Sequence, residues 1–394
     1  MRASFKILIF LLVFSNLFLG CKKAFFPSEI SSISTKYLVI EGVINGNNDS
    51  TIIKISRTQK IDTVPVVNKE TQAIVIIEND GNSSFNLIET QPGIYKSPPK
   101  SLDNSKKYRL RIKTSDNKEY LSDFVAVKDS PPIDSVGFNP KLEGVQVYTN
   151  SHDVSNKTLF YRWDYAETWQ FHAFYRSSYD NNLNARNANE QVYDCFGNDT
   201  SNVITIANTT KLISDKIFQA PIVLIPANSE KIETKYSIIV KQYALTSDAY
   251  AFWLNLQNNT EKLGSIFDVL PSENLSNYHC ISNPTELVVG YLSVGNTASK
   301  RIFINSSELL ASYSPLYPAV CEIDTAFQGD HIKSEKNQPE SILTTPNSPF
   351  VPIMGLYIPP PNYISGGPTA YSYSTKLCGD CSIRGTTKQP LFWK

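Results

Sequence analysis

Histidine is scarce in this sequence. Four occur in 394 residues, His152, His172, His279 and His331, and no two stand at a spacing that suits a metal. His279 beside Cys280 is the nearest approach to a ligand pair, and a surface or packing role suits it better. The chain also lacks a G-x-S-x-G elbow, a phosphate-binding Walker loop and an H-E-x-x-H helix. Its acidic residues are scattered, with no pair placed at catalytic separation. Nothing here points to an enzyme, a cofactor or a metal site. Excess charge is missing too: 37 basic residues balance 37 acidic ones. A nucleic-acid partner would call for a basic footprint.

Long apolar runs are confined to the first twenty residues. Arg2 and Lys6 precede an apolar stretch that ends at Gly20, shorter than the roughly 20 residues that span a bilayer. Residues 1–20 therefore read as a secretory signal peptide. Phe18-Leu19-Gly20-Cys21 resembles a bacterial lipobox, which makes Cys21 the expected lipidation site and the membrane an expected partner through that lipid. More than one acyl chain would anchor the protein stably. Residues 21–35 read as a lipidated tether.

Exported chains meet oxidising conditions, where disulfides persist. Of the six cysteines, lipidation of Cys21 leaves Cys195, Cys280, Cys321, Cys378 and Cys381. Five is odd, so at most two bridges form and one thiol is left over.

Residues 36–128 carry short β-branched and aromatic runs punctuated by Asn, Asp, Gly and Pro. In "YRLRIK", Tyr108, Leu110 and Ile112 alternate with Arg109, Arg111 and Lys113, the pattern of a half-buried antiparallel strand. The expectation is a mainly β protein with two immunoglobulin-like or fibronectin-like β-sandwich domains in tandem. "KDSPPIDS" marks the boundary at 128, because its prolines cannot donate ladder hydrogen bonds. Residues 129–305 form the second sandwich. One helix is inserted at about 247–263, with Ser247 as its cap, Gly264 at its end and Ala249, Tyr250, Trp253, Leu256 and Leu263 along one stripe. Residues 306–394, rich in proline and tyrosine, read as an irregular tail.

Two stretches invite a binding role. Tyr161, Trp163 and Tyr165 share one strand face, and with Trp169 and Tyr175 they offer either a stacking platform for sugars or peptides or the core face of a sandwich strand. The second is the stronger reading. The tail tyrosines Tyr357, Tyr363, Tyr371 and Tyr373 either present contacts to a partner or cover the body. The terminal Cys378-Gly-Asp-Cys381 could be redox-active, metal-binding or a staple. Redox chemistry needs a helix after the first cysteine, which "CSIRGTT" does not favour, and zinc needs a second ligand pair. A staple to Cys195, Cys280 or Cys321 fits best.

"LVIEGVIN", "IKISRT", "SPPIDSV", "YSIIVKQYALTSDAYAFWLNLQNNTEKLGSIFD", "CISNPTELVVGYLSV", "KRIFI" and the terminal "CGDCSIRGTTKQPLFW" together resemble the Bacteroidetes lipoproteins of domain-of-unknown-function family 4249. The resemblance implies an outer-membrane lipoprotein. It also implies a TonB-dependent transporter as partner, since such proteins are often encoded beside one. It supplies no catalytic residues. The alternative function is a surface glycan- or peptide-binding module or adhesin, and a cell-envelope enzyme ranks below both. Lys22 and Lys23 follow Cys21 where surface-exported lipoproteins of these bacteria tend to carry acids, which leaves the periplasmic and surface faces both open. Ser50, Thr63, Ser135 and Thr325 each follow an aspartate in tripeptides that look like the O-glycan acceptor of this phylum.

Overall fold

The structure is a computed structural model that describes residues 36–59, 67–261, 276–317, 320–328, 338–357 and 367–393. Cys21, Thr63, Leu263, Gly264, His331 and Tyr363 lie outside the described residues. The protein is mainly β, built from several sheets.

The first core uses β1 (Leu38–Asn45), β2 (Ile52–Arg57), β3 (Ile74–Asn79), β4 (Ser84–Gln91), β5 (Ile94–Lys96), β6 (Lys107–Lys113) and β7 (Glu119–Ser122). The alternation expected for β6 is present: Tyr108, Leu110 and Ile112 are buried while Arg109 and Arg111 face out. Glu78 on the neighbouring β3 accepts from both arginines, at 2.7 and 2.6 Å. Pairing like this fixes register, because a one-residue slip would send the whole apolar set to the solvent side. Strand β4 bends from one half of the sheet to the other, pairing with β3 through its first half and with β5 through its second.

The second core opens with β8 (Ile133–Lys141), β9 (Gly144–His152), β10 (Phe160–His172), β11 (Asp194–Thr200), β12 (Lys216–Pro226) and β13 (Lys235–Leu245). Helix α1 (Ser247–Glu261) follows. Its cap is Thr246 rather than Ser247: the Ala249 amide donates to the Thr246 hydroxyl oxygen at 3.1 Å. The buried helical side chains are Ala249 and Phe252. Of the expected stripe, Trp253 instead lies on the Arg162 guanidinium, whose other ring neighbour is Tyr243.

After the helix the chain returns to the first core. Strands β14 (Tyr278–Cys280), β15 (Val288–Val289) and β16 (Ser293–Gly295) join its sheet, in the order β14-β7-β6-β3-β4-β5-β2-β1-β15, with β16 also on β1. Strand β14 runs antiparallel to β7, while β15 and β16 run parallel to β1. The sequence reading kept 129–305 together; here its 278–295 stretch belongs to the first core. Proximity in sequence suggested otherwise, but three very short strands carry no periodicity to assign them. Between β15 and β16 the backbone lies so close to β1 that a side chain at Gly290 would meet the Ile40 carbonyl oxygen at 2.2 Å, and its φ is +140°. Glycine alone suits both demands. Asn277 ties the two ends of this returning segment, donating to the Leu292 carbonyl at 3.1 Å and accepting from its amide at 2.7 Å.

Strand β17 (Ala298–Asn305) then re-enters the second core. There the sheet β8-β9-β12 faces the sheet β11-β10-β13-β17, and both contribute to one apolar cluster.

The described residues from 306 to 393 are not an irregular tail. Strands β18 (Asp324–Phe327), β19 (Phe350–Leu356) and β20 (Ala370–Thr375) make a sheet ordered β18-β20-β19. Ala326, Leu343, Tyr371 and Tyr373 form its small core, and Tyr179 and Leu183 from the 174–186 loop pack on it. Proline density misled the reading. Pro352 sits in β19 at a register shift against β20, a place that tolerates a residue without an amide proton.

Candidate functional site

Strand β10 alternates strictly, so Tyr161, Trp163, Tyr165, Glu167, Trp169 and Phe171 all point inward. The first four aromatic residues of that face were the binding candidates. Tyr161 and Trp163 are at most 1 % exposed, and Tyr165 and Trp169 are 8 % exposed. They are core, not a platform. Their polar tips are mostly paired inside: the Tyr161 hydroxyl donates to Asp215 at 2.6 Å, and the Trp163 indole donates to Gln242 at 2.9 Å. Gln242 in turn donates to the Pro131 carbonyl at 2.8 Å and the Ser151 hydroxyl at 3.0 Å. This network fastens the 128–133 connector to the second core. Burial pushes the Tyr165 hydroxyl up to about 12, with the charges of Glu167 and Asp199 adding to the effect.

Glu167 is the buried charge of this face. It accepts from the Tyr236 hydroxyl and the Lys231 ammonium, and Lys231 also lies over the Trp169 ring. Burying a carboxylate without such partners is costly. A shallow hollow, open to solvent, lies at the seam of the two cores, lined by Val43, Lys128, Tyr243 and Asn296 among others.

Strand alternation separates His279 from Cys280. His279 faces solvent, 58 % exposed in its side chain and 3.0 Å from Asp123, while Cys280 is buried in the first core. The two cannot share a metal. His152 pairs with Asp134 at 2.7 Å on the surface. Among the described residues no three of His, Cys, Asp and Glu are grouped to hold a metal ion. Ser135 is exposed and accepts from Asn150 at 2.8 Å, whereas Ser50 and Thr325 are half-buried.

The C-x-x-C is a double staple. Cys381 bonds Cys195 on β11, and Cys378 bonds Cys321. Beyond it, Arg384 pairs with Glu230 and lies over Phe171, and Thr386 bridges Phe196. Trp393 packs edge-on against Phe196 and Phe303, at 5.1 and 5.6 Å. Gly385 passes so close to Phe196 that a side chain there would meet its carbonyl at 2.6 Å. Each conspicuous residue of the terminal motif is thus an anchor.

The staple has a second effect. It helps to gather exposed apolar side chains from three stretches of the chain at one corner. The Tyr175 amide donates to the Cys378 carbonyl and its hydroxyl to the Cys321 carbonyl, both at 2.9 Å. Phe174 lies edge-on to Tyr317 at 4.9 Å. Tyr317 donates to Glu233 at 2.5 Å, and the His172 Nε2 is 3.3 Å from the same carboxylate. Burial and the Glu233 hydrogen bond raise the Tyr317 hydroxyl well above its ordinary value, so it stays a neutral donor. Around this fixed base stand Phe174 (44 % exposed), Leu316 (66 %), Val320 (84 %) and Leu377 (42 %). Sequence reading missed all four, because no local pattern marks residues that meet only in the folded chain. The tail tyrosines divide: Tyr371 and Tyr373 are buried, and Tyr357 is exposed.

The sequence matches the family described as Domain of unknown function (DUF4249) over residues 24–301. The chain belongs to that family. The comparison with curated proteins finds no match. The family's matched stretch ends within β17, so the stapled C-terminal sheet lies beyond it.

Proposed function

We propose that this is a non-enzymatic, lipid-anchored protein of the outer membrane that docks on a protein partner through the corner formed by Phe174, Leu316, Val320 and Leu377. One observation carries the reading: apolar side chains stand exposed there on a base held by a disulfide and by the Tyr317–Glu233 contact. Such a patch costs little entropy to bind, since its backbone is already ordered, and clustered exposed apolar groups mark interaction sites. The family resemblance suggests a TonB-dependent transporter as the partner. The alternative, a glycan- or peptide-binding module, drew on the rings of β10, which are buried, so protein docking is better supported. We read the two cores as tandem immunoglobulin-like sandwiches that serve as scaffold.

The test is recovery of an outer-membrane transporter after mild detergent extraction and capture of the tagged protein. Wild type should bring the transporter down, and a Phe174→Ser, Leu316→Ser double variant should not. Capture of no transporter by the wild type overturns the reading.

A further inference from the structure

The bond pattern conflicts with the order in which the cysteines occur. Beyond Cys21 they run Cys195, Cys280, Cys321, Cys378, Cys381 along the chain. Cys195 pairs with Cys381 across 186 residues, skipping Cys280 and enclosing the Cys321–Cys378 bond. Cys280 stands less than half that distance from Cys195. Loop closure alone therefore favours the wrong partner by about threefold. A chain that crosses a membrane N-terminus first presents Cys280 to Cys195 long before Cys381 emerges. What removes Cys280 from competition is folding: it becomes buried, at 2 % exposure, only when β14 pairs with β7 and sets Cys280 opposite Tyr120. That pairing belongs to a core whose strands come from both ends of the 36–295 stretch.

We propose that oxidative folding passes through a misplaced Cys195–Cys280 bond and that the chain is a substrate of a thiol–disulfide isomerase. This rests on the reading that the chain folds in an oxidising compartment. A disulfide donor first takes two electrons and two protons from Cys195 and Cys280, becoming a dithiol as their bond forms. The isomerase thiolate then attacks Cys195 Sγ. The bond to Cys280 breaks, Cys280 leaves as a thiolate and takes up a proton, and Cys195 is held in a mixed disulfide. The Cys381 thiolate attacks the same sulfur, forms the native bond and expels the isomerase thiolate. The exchange involves no net oxidation. Cys280, freed, is sealed into the first core.

The full chain, reduced and unfolded, is oxidised in glutathione buffer with and without a purified thiol–disulfide isomerase, and acid-quenched samples are mapped by mass spectrometry. The wild type should show Cys195–Cys280 peptides early. The isomerase should shorten the approach to native pairing from hours toward minutes, roughly tenfold or more. In Cys280→Ala, and independently in Cys280→Ser, native pairing should form without the isomerase at close to the catalysed rate. Absence of any early Cys195–Cys280 peptide in the wild type overturns the proposal, as does undiminished isomerase dependence in both variants. The compartment reading is checked apart, by alkylating intact cells before lysis: reactive thiols at Cys195 and Cys381 there would remove that reading and leave the refolding result standing.

Discussion

The Tyr120 hydroxyl donates to the Glu286 carboxylate at 2.6 Å, joining residues 166 apart in sequence. The same carboxylate receives Lys118 at 2.6 Å and lies 3.9 Å from Arg57, so it locks the returning 276–295 segment to the body of the first core. Burial alone would raise the Glu286 pKa, but the hydrogen bonds from Lys118 and Tyr120 outweigh it and hold the carboxyl below its ordinary range. A depressed folded-state value means stability that is complete above the unfolded value of about 4.3 and fades as pH falls through the folded one. Acid should therefore loosen this segment. Hydrogen exchange at the amides of β14 should rise as pH drops below about 4, after correction for intrinsic rates. In Glu286→Gln that rise should be blunted, with faster exchange already at pH 7.

Mass mapping under non-reducing conditions should return Cys195–Cys381 and Cys321–Cys378, with Cys280 labelled only after unfolding. Removing the Cys195–Cys381 bond as a double Ala variant should cost about 3–5 kcal/mol in the chain-entropy account. Urea denaturation measures it. A shift of under 1 kcal/mol would mean that the bond is not a staple.

Trp163→Ala should destabilise the protein by about 3–5 kcal/mol, the cost of emptying a large core site. Gln242→Leu should cost about 1–3 kcal/mol by orphaning the Trp163 indole and the Pro131 carbonyl. If Trp163 were a ligand platform, its loss would leave the melting temperature unchanged.

The Phe174→Ser, Leu316→Ser variant should keep the wild-type melting temperature to within a few degrees, because exposed substitutions cost roughly 0.5 kcal/mol or less. Its effect should appear only in partner capture. A large loss of stability would show that these side chains support the fold instead.

Much of the fold was legible where alternation is long. The 13-residue β10 and the 7-residue β6 declare their buried faces through period-two patterning. The helix was legible from its capping residues and apolar stripe, and the cap was off by one residue because Thr246 and Ser247 are adjacent and both able to cap. The returning strands β14 to β16 were not legible, since two or three residues show no period and their pairing depends on Asn277 and Gly290. Two buried polar groups did leave a signal. Gln242 and Glu167 occupy inward positions of alternating strands, and a polar residue at such a position announces a buried network. The exposed corner left none, since its side chains come from separate stretches that meet only in the folded chain.

Strand β1 has partners on both sides: β2 antiparallel, and β15 with β16 parallel. Described structure begins just ahead of it, at Lys36. Any tension on the chain before that point enters the body along the axis of β1. It is resisted by two ladders of hydrogen bonds loaded together in shear, not peeled one at a time. The returning segment thus makes the first strand a mechanical clamp, and a pull from the N-terminal side must break both ladders before β1 leaves the first core.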